Sequence, residues 1–364
     1  MKRRKFVKSS LAVSPIVLNP YIPNLNKPKR LKILVLGGTN FVDPAIVSAA
    51  VDKGHEVVLF NRGKTNPNLF PDLKLVKGDR SIGSESYESL QSTRWDVVID
   101  VWPEYSNLVD GSTKSLSNCA GHYLFISSIA VYNNFQTVGL HESSPVVDLS
   151  IPQADWSYSE EKLAAETLVK ERFPGRYSIL RAGPITGWRD PAFDLYYWSS
   201  KIVNNDRLIA PGSGKDPIQF VDVKDVGRFA IKAVEGGLFG TYNCTGPSYE
   251  TLTWKTFLES IKSSLGSNAT LCWASEEFLS GHQVRSFSDL PLWAPLSEDE
   301  GFMQISNRKM SQTGFKFSSH TDTVKDRLRW AEEIGHDPIK FGTDEVRIGL
   351  HKTREQSLLQ QLDC

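Results

Sequence analysis

From Lys32 to Leu36 the chain reads Lys-Ile-Leu-Val-Leu, nearly all apolar, and then meets two glycines, Gly37 and Gly38. A short run of this kind suits a strand buried on both faces, the habit of strands in a parallel sheet. Ala45, Ile46, Ala49, Ala50 and Val51 then recur at helical spacing, and Glu56 to Asn61 supplies a second apolar run. Parallel strands need a crossover, so these residues predict one strand–helix–strand unit with its glycines at the first turn. Such a turn aims free N–H groups and the positive end of a helix at a pyrophosphate, and glycine lets the backbone approach it closely. An ordinary tight turn shows the same glycines, so the rest of the chain must decide between the two.

At 364 residues, 40% hydrophobic and 23% charged, the chain has room for a large globular domain and a smaller one. Lys+Arg and Asp+Glu both number 42, and the resulting zero net charge gives no electrostatic reason to expect nucleic acid as a partner. Cys119, Cys244, Cys272 and Cys364 are far apart and show no metal-ligand spacing. Free thiols are the default reading, with a disulfide left open. No internal repeat and no apolar run long enough to span a bilayer as a helix is evident.

The first thirty residues stand apart. Met1 to Lys8 is basic, a modestly apolar stretch runs from Ser9 to Leu18, and a Pro- and Asn-rich linker follows from Tyr21 to about Arg30. Arg3-Arg4-x-Phe6-x-Lys8 resembles the twin-arginine export signal, which would place the protein in a bacterial periplasm; a plain basic tail on a cytoplasmic protein is the alternative. Further strands are predicted at Lys74–Lys77, Asp96–Val101, His122–Ser127 and Tyr177–Arg181. Helices are predicted from Tyr158, over Val223–Glu235, over Trp254–Leu265, and from Thr321 to Ile334 with Thr321 as the cap. The second strand ends at Asn61-Arg62, where dinucleotide folds carry an acid that binds the adenosine ribose. Asn in that place, with Arg beside it, leans towards NADP over NAD.

Tyr158 and Lys162 are four apart, and on a helix they lie on one face about a turn from each other. Gly37-Gly38-Thr39-x-Phe41, Ser127-Ser128-x-x-Val131-Tyr132, Tyr158-x-x-x-Lys162 and Phe220-Val221-Asp222-Val223-x-Asp225-Val226 follow in order. Together they resemble the extended short-chain dehydrogenase/reductase superfamily and, within it, the NAD-dependent epimerase/dehydratase family of nucleotide-sugar epimerase-like enzymes. The resemblance runs from about Leu31 to Trp330. It implies an α/β fold: a Rossmann-type doubly wound parallel sheet with a smaller C-terminal α/β substrate-binding cap. The implied division is 31–187 with 217–245 for the dinucleotide-binding domain, 188–216 with 246–335 for the cap, and 336–364 for a polar tail. It further implies an NAD(P) cofactor held by Gly37, Gly38, Thr39, Asn40, Phe41, Val42, Asn61, Arg62, Asp79, Arg80, Tyr158 and Lys162. Ser128, Tyr158 and Lys162 would be catalytic, and two copies would pair through the helices near 105–119 and 158–171. Against the family spacing Gly-x-x-Gly-x-x-Gly, this chain has Gly37, Asn40 and Asp43. Asn40 tolerates the left-handed backbone, whereas Asp43 adds a side chain and a negative charge where the helix nears strand and phosphates.

Those residue types suit proton transfer. An ammonium near Tyr158 would favour its phenolate, Lys162 would also hold the nicotinamide ribose, and Ser128 would bond the substrate oxygen. Sugar dehydratases of the superfamily carry an Asp-Glu pair after the Ser; here Ile129 and Ala130 stand there, which disfavours dehydration. An exported enzyme lacks a general pool of free cofactor, so the leading expectation is redox-neutral epimerisation of a sugar or nucleotide sugar through a keto intermediate, with tightly bound cofactor. A reductase or dehydrogenase of a small carbonyl or sugar is the second expectation. A non-catalytic nucleotide- or RNA-binding relative is the third, since some relatives with the Gly-Gly-Thr-x-Phe turn bind RNA. Trp188, Tyr196, Tyr197 and Trp198 are read mostly as core, although they are also candidates for stacking on a sugar.

Overall fold

The computed structural model describes residues 30–101, 104–247, 252–335, 339–362 and 364. The export-like segment and Trp102-Pro103 therefore lie outside the described residues. In chain order come β1 Lys32–Leu36, α1 Val42–Asp52, β2 Glu56–Asn61, β3 Lys74–Lys77, α2 Glu88–Gln91, β4 Trp95–Asp100, α3 Ser106–Leu116, β5 Ala120–Ser128, α4 Tyr158–Arg172 and β6 Tyr177–Ala182. Then follow β7 Ile185–Thr186, α5 Asp194–Asn204, β8 Arg207–Pro211, β9 Val221–Asp222, α6 Val223–Glu235, β10 Gly240–Cys244, α7 Trp254–Leu265 and β11 Thr270–Ala274. The chain closes with α8 Glu276–Gly281, α9 Leu296–Asp299, α10 Arg308–Gln312, α11 His320–Glu333 and α12 Lys352–Leu359.

Seven strands form one sheet in the order β3-β2-β1-β4-β5-β6-β10, every pairing parallel. The near-continuous apolar strands explain the layering, because alternate residues of β1 serve opposite cores. Ile33 and Val35 pack with Ile46 of α1 and Phe229 of α6, whereas Leu34 and Leu36 pack with Val109 of α3 and Val169 of α4. A Cβ on Gly227 would lie 2.5 Å from the Ala45 carbonyl, so α6 and α1 approach closely only because that residue is glycine. Strand order reverses between β1 and β4, the switch point outside whose carboxyl ends open α/β sheets bind ligands. Leu36 registers with Phe60 on one side and Asp100 on the other, which brings Gly37, Asn61 and Asp100 to one edge.

A second core lies C-terminal to the sheet. The parallel pair β8 and β11, with α5, α7 and α11, buries Trp198 against Trp254 at 5.0 Å between ring centroids. Tyr196, Tyr197 and Trp198 are all core, as their spacing suggests, while Trp188 stays partly exposed. The polar-looking tail also joins this core: Phe341, Leu350, Leu358 and Leu359 are buried in it, and Glu355 pairs with Lys201. Cys272 and Cys364 form a disulfide, Cα–Cα 5.5 Å, while Cys119 and Cys244 remain free and buried. The free-thiol expectation is thus corrected for two of the four cysteines; a pairing between residues 92 apart in sequence leaves no local signal. The cap of α11 is likewise Ser319 in place of Thr321, because its side chain accepts the Asp322 N–H at 3.1 Å.

Candidate active site

Helix α4 begins abruptly. Ser157 and Glu160 form a reciprocal capping box, with the Ser157 N–H donating to the Glu160 carboxylate at 2.8 Å, and this makes Tyr158 the first helical residue. One turn on, Lys162 is 3% exposed, and its Nζ donates to the Ile126 carbonyl at 2.8 Å while lying 5.9 Å from the Tyr158 ring centroid. Burial pulls the Lys162 ammonium down to about 8, opposed by the charges of Asp100 and Glu166. At the end of β5 Ser128 accepts the Ala130 N–H at 3.1 Å and lies near enough to Tyr158 to lower its phenol pKa. Ser128, Tyr158 and Lys162 are thereby gathered at one sheet edge. Burial raises the Tyr158 phenol above its ordinary value, with Ser128 only partly offsetting it. Burial and Ser128 are the causes acting on the Tyr158 phenol, while the Lys162 ammonium donates to the Ile126 carbonyl.

Residues that sequence reasoning passed over hold this cluster in place. Glu166, fully buried one turn beyond Lys162, accepts Arg181 at 2.9 and 2.8 Å, Ser127 Oγ at 2.8 Å and Lys170 at 3.0 Å. Glu161 accepts the Ser106 N–H at 2.6 Å and ties α4 to the start of α3. A buried acid in mid-helix beside small apolar residues was the available signal for Glu166.

A cavity of about 700 Å³ opens at the switch point, lined among others by Gly37, Thr39, Asn40, Phe41, Val42, Asn61, Arg62, Asp79 and Arg80. Its lining does not extend to Ser128, Tyr158 or Lys162. Asn61 bridges the turn, donating to the Gly37 carbonyl at 2.7 Å and accepting the Gly63 N–H at 2.7 Å. Asn66, at φ 42°, donates to the Thr39 carbonyl at 2.7 Å. Gly38 packs against the Leu59 side chain, away from the cavity lining. Asp79 accepts Ser81 N–H and Oγ, which holds its carboxyl below the usual range. Arg80 lines the cavity yet directs both Nη atoms at the buried Asp100, each at 2.7 Å, so the carboxylate and not a ligand orients it. The described residues hold no group of three or more His, Cys, Asp or Glu arranged for a metal.

Seven parallel strands in this order, with Ser, Tyr and Lys gathered at the carboxyl edge of β5 and the start of α4, define an extended short-chain dehydrogenase/reductase fold. The chain matches the model of the NAD dependent epimerase/dehydratase family over residues 33–244, more than half its length, and belongs to that family. Among solved structures it resembles the Bordetella bronchiseptica enzyme WbmH in complex with NAD+, at TM-score 0.61 and 17% identity over 84% of this chain and 100% of that one. It also resembles UDP-N-acetylglucosamine 4-epimerase from Bacillus cereus, at TM-score 0.59 and 17% identity over 82% of this chain and 99% of that one. These likenesses establish the fold. A curated relative, the chloroplast stem-loop binding protein of 41 kDa b from Arabidopsis thaliana, is 31% identical over 238 residues, which span 60% of this chain and 60% of that protein.

Proposed function

We propose that the protein is an NAD(P)-dependent sugar epimerase-like enzyme that works without net redox change on a sugar or nucleotide sugar. The observation that carries this is the juxtaposition of Ser128 and Tyr158 with the buried Lys162 ammonium one turn away, 5.9 Å from the Tyr158 ring centroid. The cavity and the ammonium suit a nicotinamide nucleotide, which when bound takes a hydride from a carbinol carbon and returns it. Lys162 would bond the nicotinamide ribose, and Arg62, exposed at the cavity mouth beside Asn61, favours a 2′-phosphate. Tyr158 holds a proton at its hydroxyl through neutral pH, in line with its raised pKa, and exchanges it with the substrate oxygen. Ser128 donates to the same oxygen as it gains carbonyl character. Residues 31–187 and 217–245 serve the cofactor, and the remainder of 188–335 the substrate.

Two features support export: the basic Arg3-Arg4-x-Phe6-x-Lys8 segment and the Cys272–Cys364 disulfide, a bond that persists in oxidising compartments. No helix among the described residues is long and apolar enough to cross a membrane. Fractionation of native cells tests this, and recovery with cytoplasmic markers would remove the case for redox-neutral turnover.

The function itself is tested by incubating full-length protein with saturating NAD+ or NADP+ and a panel of UDP-linked hexoses. The expected result is an epimeric product with no net absorbance at 340 nm; stoichiometric NADH or NADPH would replace epimerisation by net oxidation. A second reading, RNA binding without catalysis, has one observation in its favour, the 31% identity over 238 residues to a chloroplast stem-loop binding protein. Salt-dependent retention of stem-loop RNA by a chain that binds no dinucleotide would establish it in place of the first.

A further inference from the structure

The turn between β1 and α1 already holds a carboxyl group, and that group belongs to the protein. Asp43 stands where the spacing calls for a third glycine, and its carboxylate folds back over the turn. Oδ2 accepts the Gly38 N–H at 2.6 Å. A Cβ on Gly37 would lie 2.6 Å from the same oxygen. Asp43 is 9% exposed and lines the cavity. Phe41, at the N-cap, offers no side-chain cap, so the N–H groups that open α1 have no side chain bonded to them there. From outside, Asn61 and Asn66 bond the carbonyls of Gly37 and Thr39 and hold the turn in this shape.

Backbone N–H groups at a helix start are what a dinucleotide fold presents to a diphosphate. A carboxyl folded over this turn and a diphosphate brought to it compete for the same space, and two negative charges there repel. We propose that Asp43 is a built-in occupant of the diphosphate cradle, which a nucleoside-diphosphate ligand must displace in order to bind. The inference rests on the cofactor reading above and adds to it a competitor within the chain. Burial raises the Asp43 carboxyl above its ordinary value, and the Gly38 N–H only partly offsets it. Displacement needs rotation of one side chain on the first turn of α1. Apparent affinity falls in proportion to the time the cradle is filled, so a side chain in place about 99% of the time weakens binding about a hundredfold.

The test compares full-length wild type, Asp43→Gly and Asp43→Asn by calorimetric titration with ADP-ribose and NADH, and by thermal melts with and without each. The expected order is Asp43→Gly tightest, by on the order of tenfold to a hundredfold over wild type, with Asp43→Asn between them. Asp43→Gly should also melt lower than wild type without ligand, since it loses the bond to the Gly38 N–H, and recover the difference with ADP-ribose. Asp43→Asn keeps the shape and an acceptor, and it carries the comparison if the glycine variant folds poorly. Equal dissociation constants for all three overturn the proposal and leave the cofactor reading standing. No binding by any of the three overturns the cofactor reading, and this proposal falls with it.

Discussion

Tyr158 is 48% exposed and enters no core cluster, so removing its hydroxyl should leave the fold untouched. Tyr158→Phe is expected to keep the wild-type melting temperature and to lose about 10²- to 10⁴-fold in turnover, measured as epimer formed per enzyme. Lys162 carries the opposite trade. Its ammonium is buried and its pKa lowered from 10.5 to about 8, so below pH 8 the folded state bears the cost of a buried charge. Between pH 8 and 10.5 the folded protein releases that proton while the unfolded chain keeps it, and stability rises with pH. Lys162→Met should therefore be more stable than wild type at pH 7, by up to about 3 kcal/mol, with the gap closing as pH passes from 8 to 10 in urea titrations. Tyr158 and Lys162 are legible in the sequence because helical spacing alone puts them on one face. Arg80 is not, since its partner Asp100 comes from the next strand of the chain and no local pattern announces the pair. The placement of Asp43 is half legible: the missing glycine shows in the spacing, but the direction of the carboxylate does not.

At the scale of elements, α4 carries both Tyr158 and Lys162, and its position depends on buried charge. Glu166 joins α4 to β6 through Arg181 and to β5 through Ser127. Glu166→Ala would leave the Arg181 guanidinium buried without its carboxylate, at a cost of about 3–5 kcal/mol read as a lower urea midpoint. Glu166→Gln, which keeps part of the hydrogen bonding, should lie between. The strands were open to prediction because each is a short apolar run ended by a turn residue, and β1, β2 and β3 have the predicted bounds. β4 and β5 differ by one or two residues, where pairing extends the ladder past the apolar run: Trp95 registers with Ala120. The start of α11 differs for another reason. Ser319, His320 and Thr321 are all polar, and only the backbone geometry at Ser319 selects the cap.

Among the described residues, cores lie on both faces of the doubly wound sheet and in the unit of α5, α7, α11, β8 and β11, and the C-terminal tail closes the last of these. The Cys272–Cys364 bond anchors that tail across a separation of 92 residues. Cys364→Ser should lower stability by about 2–4 kcal/mol, and reductant should destabilise wild type but not the variant. That closure was hidden in the sequence because Leu350, Leu358 and Leu359 are diluted among polar residues and contact partners far away in the chain. The central proposal joins the two halves of the site: Lys162, near Tyr158 and Ser128, would hold the ribose of a nicotinamide nucleotide. Fluorescence titration of the full-length protein with NADH and NADPH tests it most directly, with wild type beside Lys162→Met. Saturable binding to wild type, weakened at least about tenfold in Lys162→Met by loss of a charged hydrogen-bond donor, is the predicted result. Binding unchanged by the substitution, or absent for both nucleotides even in Asp43→Gly, would contradict the account.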